Sequence, residues 1–197
     1  MPEVFAILEG ALPLRRQSWA EVSVADAALP QAGVLVALTN EPMPRVLLGR
    51  RAMHLPLHPG EVAFAGGKRD PEDTTLEDTA LREAEEELGI AIADVDLLGH
   101  IHHHHTVSEF QVRPYVGVMP WPYELTLDQI EVAHAFTMPL AWLADENNYR
   151  VEHRQHAASN RPWPVVYFDL YDGELLWGAT ARMTLSLIEV LRSNPLD

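Results

Sequence analysis

Apolar and polar positions alternate along the chain in a way that predicts short strands interleaved with amphipathic helices. Val34-Leu35-Val36-Ala37-Leu38 and Val46-Leu47-Leu48 read as strands, with Asn40-Glu41-Pro42 turning between them. Residues 61–65 form a short strand running into Gly66-Gly67, and residues 94–101 and 109–119 read as further strands. Between them lies a helix over 75–88, in which Ala80, Ala84 and Leu88 recur every fourth residue as an apolar stripe. Residues 139–144 and 180–192 also read as helices. The latter carries an apolar period through Met183, Leu185, Leu187, Ile188 and Leu191, which makes Met183 a core residue. Residues 145–163 are polar and loop-like, and a strand follows near Val165 to Phe168. The pattern predicts an α/β fold, a mixed sheet with flanking helices. Residues 1–30 read as an N-terminal arm and 31–197 as the main body of one domain overall.

The helix over 75–88 ends in the densest chemistry of the chain, Arg82-Glu83-Ala84-Glu85-Glu86-Glu87-Leu88-Gly89-Ile90. At about 100° per residue, Glu83, Glu86 and Glu87 share one face and Glu85 points away. A solvated acidic face usually interleaves Lys or Arg, whereas this one has only Arg82. Each like-charge pair costs about 0.2–0.5 kcal/mol. Gly89 is a natural helix stop, so the carboxylates also crowd the negative end of the helix dipole. A divalent cation resolves the conflict. Mg²⁺ takes oxygen ligands and keeps several waters, which leaves positions for a substrate phosphate.

Gly67, five residues, Asp73, eight residues, and then Arg82-Glu83-Ala84-x-Glu86-Glu87-x-Gly89-Ile90 resembles the Nudix box. The usual box has Glu where Asp73 stands and one residue fewer before the Arg. Both departures resemble the coenzyme A diphosphatase branch of that family. Its Gly-Gly-Lys/Arg-x-Asp-Pro-x-Asp stretch is matched by Gly66 to Asp73, and its Thr-Ala-Leu-Arg-Glu-Ala-x-Glu-Glu run by Thr79 to Glu87. Upstream, His58 to Gly67 and Leu47 to Ala52 resemble the branch's signature, with Gly49 for Thr, Ala52 for Ser, Pro56 for Arg and Ala65 for Pro. Val112 to Gly117 and Leu176 to Ala181 resemble further segments of it. The resemblance implies a Nudix-type α/β/α sandwich and metal-dependent hydrolysis of a diphosphate. For this branch the substrate is coenzyme A or a thioester, split into 4′-phosphopantetheine and adenosine 3′,5′-bisphosphate. The altered positions leave open another nucleoside diphosphate derivative, such as an ADP-sugar, a dinucleotide or a nucleoside triphosphate. A metal- or nucleotide-binding module without turnover is the reading from a different class, and the intact box glutamates argue against it.

In that frame Mg²⁺ or Mn²⁺ is held by Glu83, Glu86 and Glu87, with the Gly67 carbonyl as an extra ligand. The resemblance makes Arg82 structural, pairing with acidic groups of the box, and Asp73 a loop–helix brace, with a helix cap as the alternative. Glu131 and Glu86 are the candidates for general base, and Glu124, Asp128 and Glu109 are weaker ones. Arg50, Arg51, Lys68 and Arg69 could supply positive charge to the phosphates, each with an ordinary solvated cation as the alternative. His102 to His105 alternate faces if extended, so only pairs such as His102 with His104 could chelate zinc or nickel. A polar loop near the substrate mouth is the favoured reading. Trp121, Trp163 and Trp177 are candidates to stack on adenine, with core burial the default.

Composition narrows the setting. In 197 residues with 47% hydrophobic and 22% charged positions there is enough material for one good core. A formal net charge of −15 argues against a nucleic-acid partner. The absence of cysteine excludes disulfides and suits a reducing cytoplasm. No apolar run approaches the roughly 20 residues of a membrane span, and no basic segment followed by an apolar one opens the chain. The expected partner is a small-molecule diphosphate. For the first thirty residues a helix, a homodimer contact and part of the substrate entrance all stand open.

Overall fold

The computed structural model describes residues 3–12, 29–106, 110–155 and 162–194. In chain order the elements are α1 (Glu3–Ala11), β1 (Gln31–Thr39), β2 (Arg45–Arg51), β3 (Val62–Ala63), β4 (Ala65–Lys68) and α2 (Leu76–Leu88). There follow β5 (Asp96–His100), β6 (His104–His105), β7 (Gln111–Met119), β8 (Val132–Pro139), α3 (Leu140–Ala144), β9 (Tyr149–Gln155), β10 (Pro162–Phe168) and α4 (Gly178–Ser193). β1 is the spine. It runs parallel to β7 from Gln31↔Gln111 to Thr39↔Met119 and antiparallel to β2 and β4. β5 and β6 extend the sheet from β7, and β3 and β8 pair with β2, giving eight strands of mixed direction.

The side-chain alternation of β1 sets the layers. Val34, Val36 and Leu38 face one core with Phe5 and Leu8 of α1, Leu143 of α3, and Met183, Leu187 and Ile188 of α4. Leu35 and Ala37 face the other, against Ala80, Ala84 and Leu88 of α2. A strand buried on both faces reads as a continuous apolar run, as this one does. The result is the α/β/α sandwich with a mixed central sheet that the resemblance implied. No helix among the described residues is long and apolar enough to cross a membrane.

Several elements differ from the sequence reading. The stretch 145–163 is not a plain loop: β9 forms an antiparallel pair with β10, from Phe168↔Tyr149 to Pro162↔Gln155. β9 is mostly exposed along its length, so it has no apolar face for a period to reveal. β8 was not anticipated either, because its half-exposed middle dilutes the apolar signal of Val132 and Met138. The strand expected over 61–65 is broken at buried Phe64, where the chain passes from pairing with β2 to pairing with β1. Residues 92–94 form a 3-10 turn before β5.

Candidate active site

α2 carries the acidic run because both of its ends are chemically specified. Thr75 caps the N-terminus in a reciprocal box: its side chain accepts from the Asp78 N–H, and the Asp78 carboxylate accepts from the Thr75 N–H at 2.8 Å. Gly89 ends the helix with φ 69°, donating to the Ala84 and Glu85 carbonyls. The last turn is then tied to the loop before β8. Thr126 donates to the Leu88 carbonyl and Asp128 to the Glu87 carbonyl, both at 3.0 Å. These bonds satisfy carbonyls that would otherwise lack partners, and they hang the loop bearing Glu131 from the end of the acidic helix.

The three glutamates of the predicted face occupy a gradient of burial. Glu87 is only 6% exposed, and its carboxylate accepts from the Gly66 N–H at 3.2 Å. Glu83 is half-buried against Gly67, where a Cβ would collide with its carboxylate, so only glycine allows this approach. The Glu86 side chain is 60% exposed and bonds Arg82 Nη1 at 2.8 Å. Glu85 is exposed, pointing away as the helical spacing requires. Burial, reinforced by neighbouring Glu83, pushes the Glu87 carboxyl up to about 8. Burial also raises Glu83, with Glu86 and Glu131 adding to the shift and Arg82 opposing it. Glu131 therefore lies close enough to repel both Glu83 and Glu87, although it is more than forty residues away in sequence.

Arg82 organises the loop that enters the helix. Its Nε and Nη2 donate to the two oxygens of Asp73 at 3.0 and 3.1 Å, and the same guanidinium reaches Glu83 at 3.0 Å. Buried Asp73 further accepts from the Asp70 N–H and the Thr79 hydroxyl. This is the geometry of a brace: the aspartate turns the loop and Arg82 fixes it to α2.

The four candidate phosphate cations divide. Arg50 is engaged by Glu174 at 3.3 Å, and the same glutamate holds His134 at 3.0 Å. Arg69 Nη2 donates to the Asp73 carbonyl at 2.7 Å and to the Thr74 carbonyl. Lys68 is exposed at the end of β4. Arg51 lines a small cavity with Gly49, Ala63 and Glu87, and its buried Nε has no hydrogen-bond partner. Sequence reasoning missed Glu174, because nothing local in its turn announces that it will meet an arginine of β2. Of the three other base candidates, Glu124 is exposed, Asp128 caps its own turn by accepting from the Ile130 N–H at 2.9 Å, and Glu109 lies outside the described residues.

A match to the NUDIX domain spans residues 29–176. The chain belongs to the Nudix hydrolase family. It is 38% identical over 159 residues to the protein called Uncharacterized Nudix hydrolase NudL of Yersinia enterocolitica, covering 80% of each chain. The protein of the same name in Yersinia pestis is 37% identical over 160 residues, covering 81% of this chain and 78% of its own. Among solved structures, the Nudix hydrolase RenU from M. smegmatis superposes with a TM-score of 0.57 at 19% identity, over 85% of this chain and 89% of that one. That likeness bears on the fold alone. As a Nudix hydrolase the chain is a diphosphatase, acting on phosphoric anhydride bonds.

Nudix enzymes generally use divalent metal ions. Among the described residues no group of three His, Asp or Glu side chains is already placed to hold a metal ion. The donor set nevertheless suits a hard cation. Glu83 and Glu87 are carboxylates removed from water and facing each other's charge, a repulsion that a cation would cancel. Glu86 sits at the solvent side of the same face, and the missing side chain at Gly67 lets the Glu83 carboxylate lie close against β4.

Proposed function

We propose that the acidic cleft hydrolyses the diphosphate of coenzyme A or its thioesters, giving 4′-phosphopantetheine and adenosine 3′,5′-bisphosphate. Glu83, Glu86, Glu87 and the Gly67 carbonyl would hold Mg²⁺ or Mn²⁺, which when bound acidifies a water and neutralises charge on the phosphate oxygens. Arg51 receives a phosphate oxygen. The observation that carries this reading is the cavity lined by both Arg51, whose buried Nε has no partner, and buried Glu87, a cation and a carboxylate around one small space. Glu131 accepts the proton of the attacking water, and its loop keeps it at the acidic face by hanging from the last turn of α2. Exposed Glu86 is the alternative base. Arg82 and Asp73 hold the loop so that Gly67 and Glu83 stay in register.

One observation favours a different nucleoside diphosphate derivative. Gly49 lines the same cavity, and a Cβ there would stand 3.3 Å from Val132 Cγ1. The branch's Thr at this position would need Val132 to move, so this cavity differs locally from the one the signature describes. The test incubates the pure protein with Mg²⁺ or Mn²⁺ and a panel of coenzyme A, ADP-ribose, NADH, diadenosine polyphosphates and dNTPs, with products identified by mass. Glu131→Gln and Glu86→Gln run alongside, and loss of the base lowers kcat by about 10²- to 10⁴-fold. Preference for ADP-ribose over coenzyme A sinks the coenzyme A reading and keeps the hydrolase.

A further inference from the structure

The small sheet of β9 and β10 ends on an open edge. β10 is flanked on its far side by the bridge between Tyr167 and Trp177, whereas β9 pairs with β10 alone among the described residues. Along an antiparallel strand the backbone groups point alternately to one neighbour and to the other. The Asp169 N–H donates to the Asn148 carbonyl at 2.8 Å, and the Phe168 N–H turns the other way, to the Leu176 carbonyl at 2.9 Å. Asn148, Arg150 and Glu152 therefore direct their backbone groups at β10, and Tyr149, Val151 and His153 direct theirs at the open edge. The prolines of β10 agree: Pro164 and Pro162 stand opposite His153 and Gln155, where β9 asks for no N–H.

Nothing in β9 blunts that edge. It runs seven residues without a proline, and its pairing with β10 has no bulge. Val151 is 48% exposed although its cross-strand neighbour Val166 is 4% exposed, so apolar cover stops at the open flank. On the opposite face Arg150, Glu152 and Arg154 alternate in sign. Glu152 bridges Arg150 at 3.0 Å and Arg154 at 3.7 Å, and both guanidinium groups lie over the Tyr167 ring, which holds the charges in one row. We propose that β9 pairs antiparallel with β9 of a second copy of this chain, about a two-fold axis at Val151, joining two hairpins into one four-stranded sheet.

Self-complementarity selects both the occupant and the register. A two-fold contact sets residue i of one copy against j of the other, and j against i. With the axis at Val151, the outward N–H and C=O of Val151 meet those of its own copy, and the two valines cover each other. Arg150 then stands opposite Glu152 of the second copy, and Glu152 opposite its Arg150. Both pairs fall at positions that do not hydrogen-bond across the new seam, where side chains approach most closely. Moving the axis to Glu152 would oppose two glutamates and set Arg150 against Arg154. Moving it to Arg150 would oppose two arginines, and moving it to His153 would leave Val151 facing Gln155. The contact is independent of the chemistry read in the acidic cleft, and it gives an otherwise two-stranded sheet the strand number that stable sheets have.

Sedimentation equilibrium of the full chain tests the contact. The mass should rise from 22.1 kDa towards twice that value as the concentration is raised to about 200 μM, a range suited to an interface at the small end of the scale. Arg150→Glu and Glu152→Arg should each weaken the dimer about tenfold or more, and the double swap, which restores both cross-strand pairs, should recover it. The chain has no cysteine, so Val151→Cys carries a single thiol. At the axis the two Cα atoms would lie about 5.5 Å apart, within disulfide range, and mild oxidation should link the copies. His153→Cys should stay unlinked, its thiols separated by roughly 13 Å of strand. Circular dichroism checks the fold of each variant, and should a single swap misfold, the two thiol variants decide. A monomer at every concentration, or a dimer of unchanged affinity in both single swaps, overturns the proposal. So does a cross-link through His153→Cys in place of Val151→Cys.

Discussion

Asp73 releases its proton more readily than a free aspartate because Arg82 donates to both of its oxygens; its pKa falls from 3.8 to about 2, helped by the Asp70 N–H and the Thr79 hydroxyl. A carboxylate whose folded pKa lies below its unfolded value stabilises the fold above the unfolded pKa. That contribution is lost as pH falls from about 4 through about 2. Asp73→Asn should therefore lower unfolding stability at pH 7 by about 1.5–3 kcal/mol, the scale of hydrogen bonds to a charged group. Urea titrations across pH should show the difference between variant and wild type shrinking below pH 4 and vanishing only below about pH 2. At this scale the sequence was informative where residues act within one segment. The spacing of Glu83, Glu86 and Glu87 was readable because one helix supplies them all, whereas the pairing of Arg82 with acidic groups of the box came only from the family resemblance, which did not name Asp73 as the partner. The grip of Glu174 on Arg50 was not readable, because 124 residues separate them and only the folded sheet brings them together.

The end of α2 is the element on which the candidate base depends. Gly89 sits at φ 69°, and a Cβ there would stand 2.7 Å from Thr126 Cβ and 2.9 Å from the Thr126 backbone N. Gly89→Ala should cost about 1–2 kcal/mol from the left-handed backbone alone. The collision should also push away the loop that hangs from the helix, so kcat falls by more than stability predicts. Circular dichroism melts and steady-state kinetics on the same preparation check both outcomes. Element prediction succeeded for β1, β2, α2 and α4, whose apolar positions all face packed neighbours. It failed for β8 and β9 for one physical reason. A strand leaves a hydrophobic signature only on a face that is buried, and most of β9 has none.

At the scale of the molecule, α1 is part of the core. Phe5 and Leu8 are 1% and 0% exposed, packed in the same cluster as Leu187 and Ile188 of α4. Phe5→Ala should destabilise the protein by about 3–5 kcal/mol, measured by chemical denaturation, with kcat little changed because the acidic cleft lies on the opposite face of the sheet. The stretch shared with the NUDIX domain runs from 29 to 176, whereas α1 and α4 lie outside it. Cutting the chain to that stretch would keep every proposed metal ligand and strip most of one helical layer from the sheet. Arg182 would leave with α4, and with it one wall of the pocket that it lines with Trp163 and Trp177. The proposed metal ligands thus lie within the shared stretch, while α4, which walls that pocket, lies beyond it.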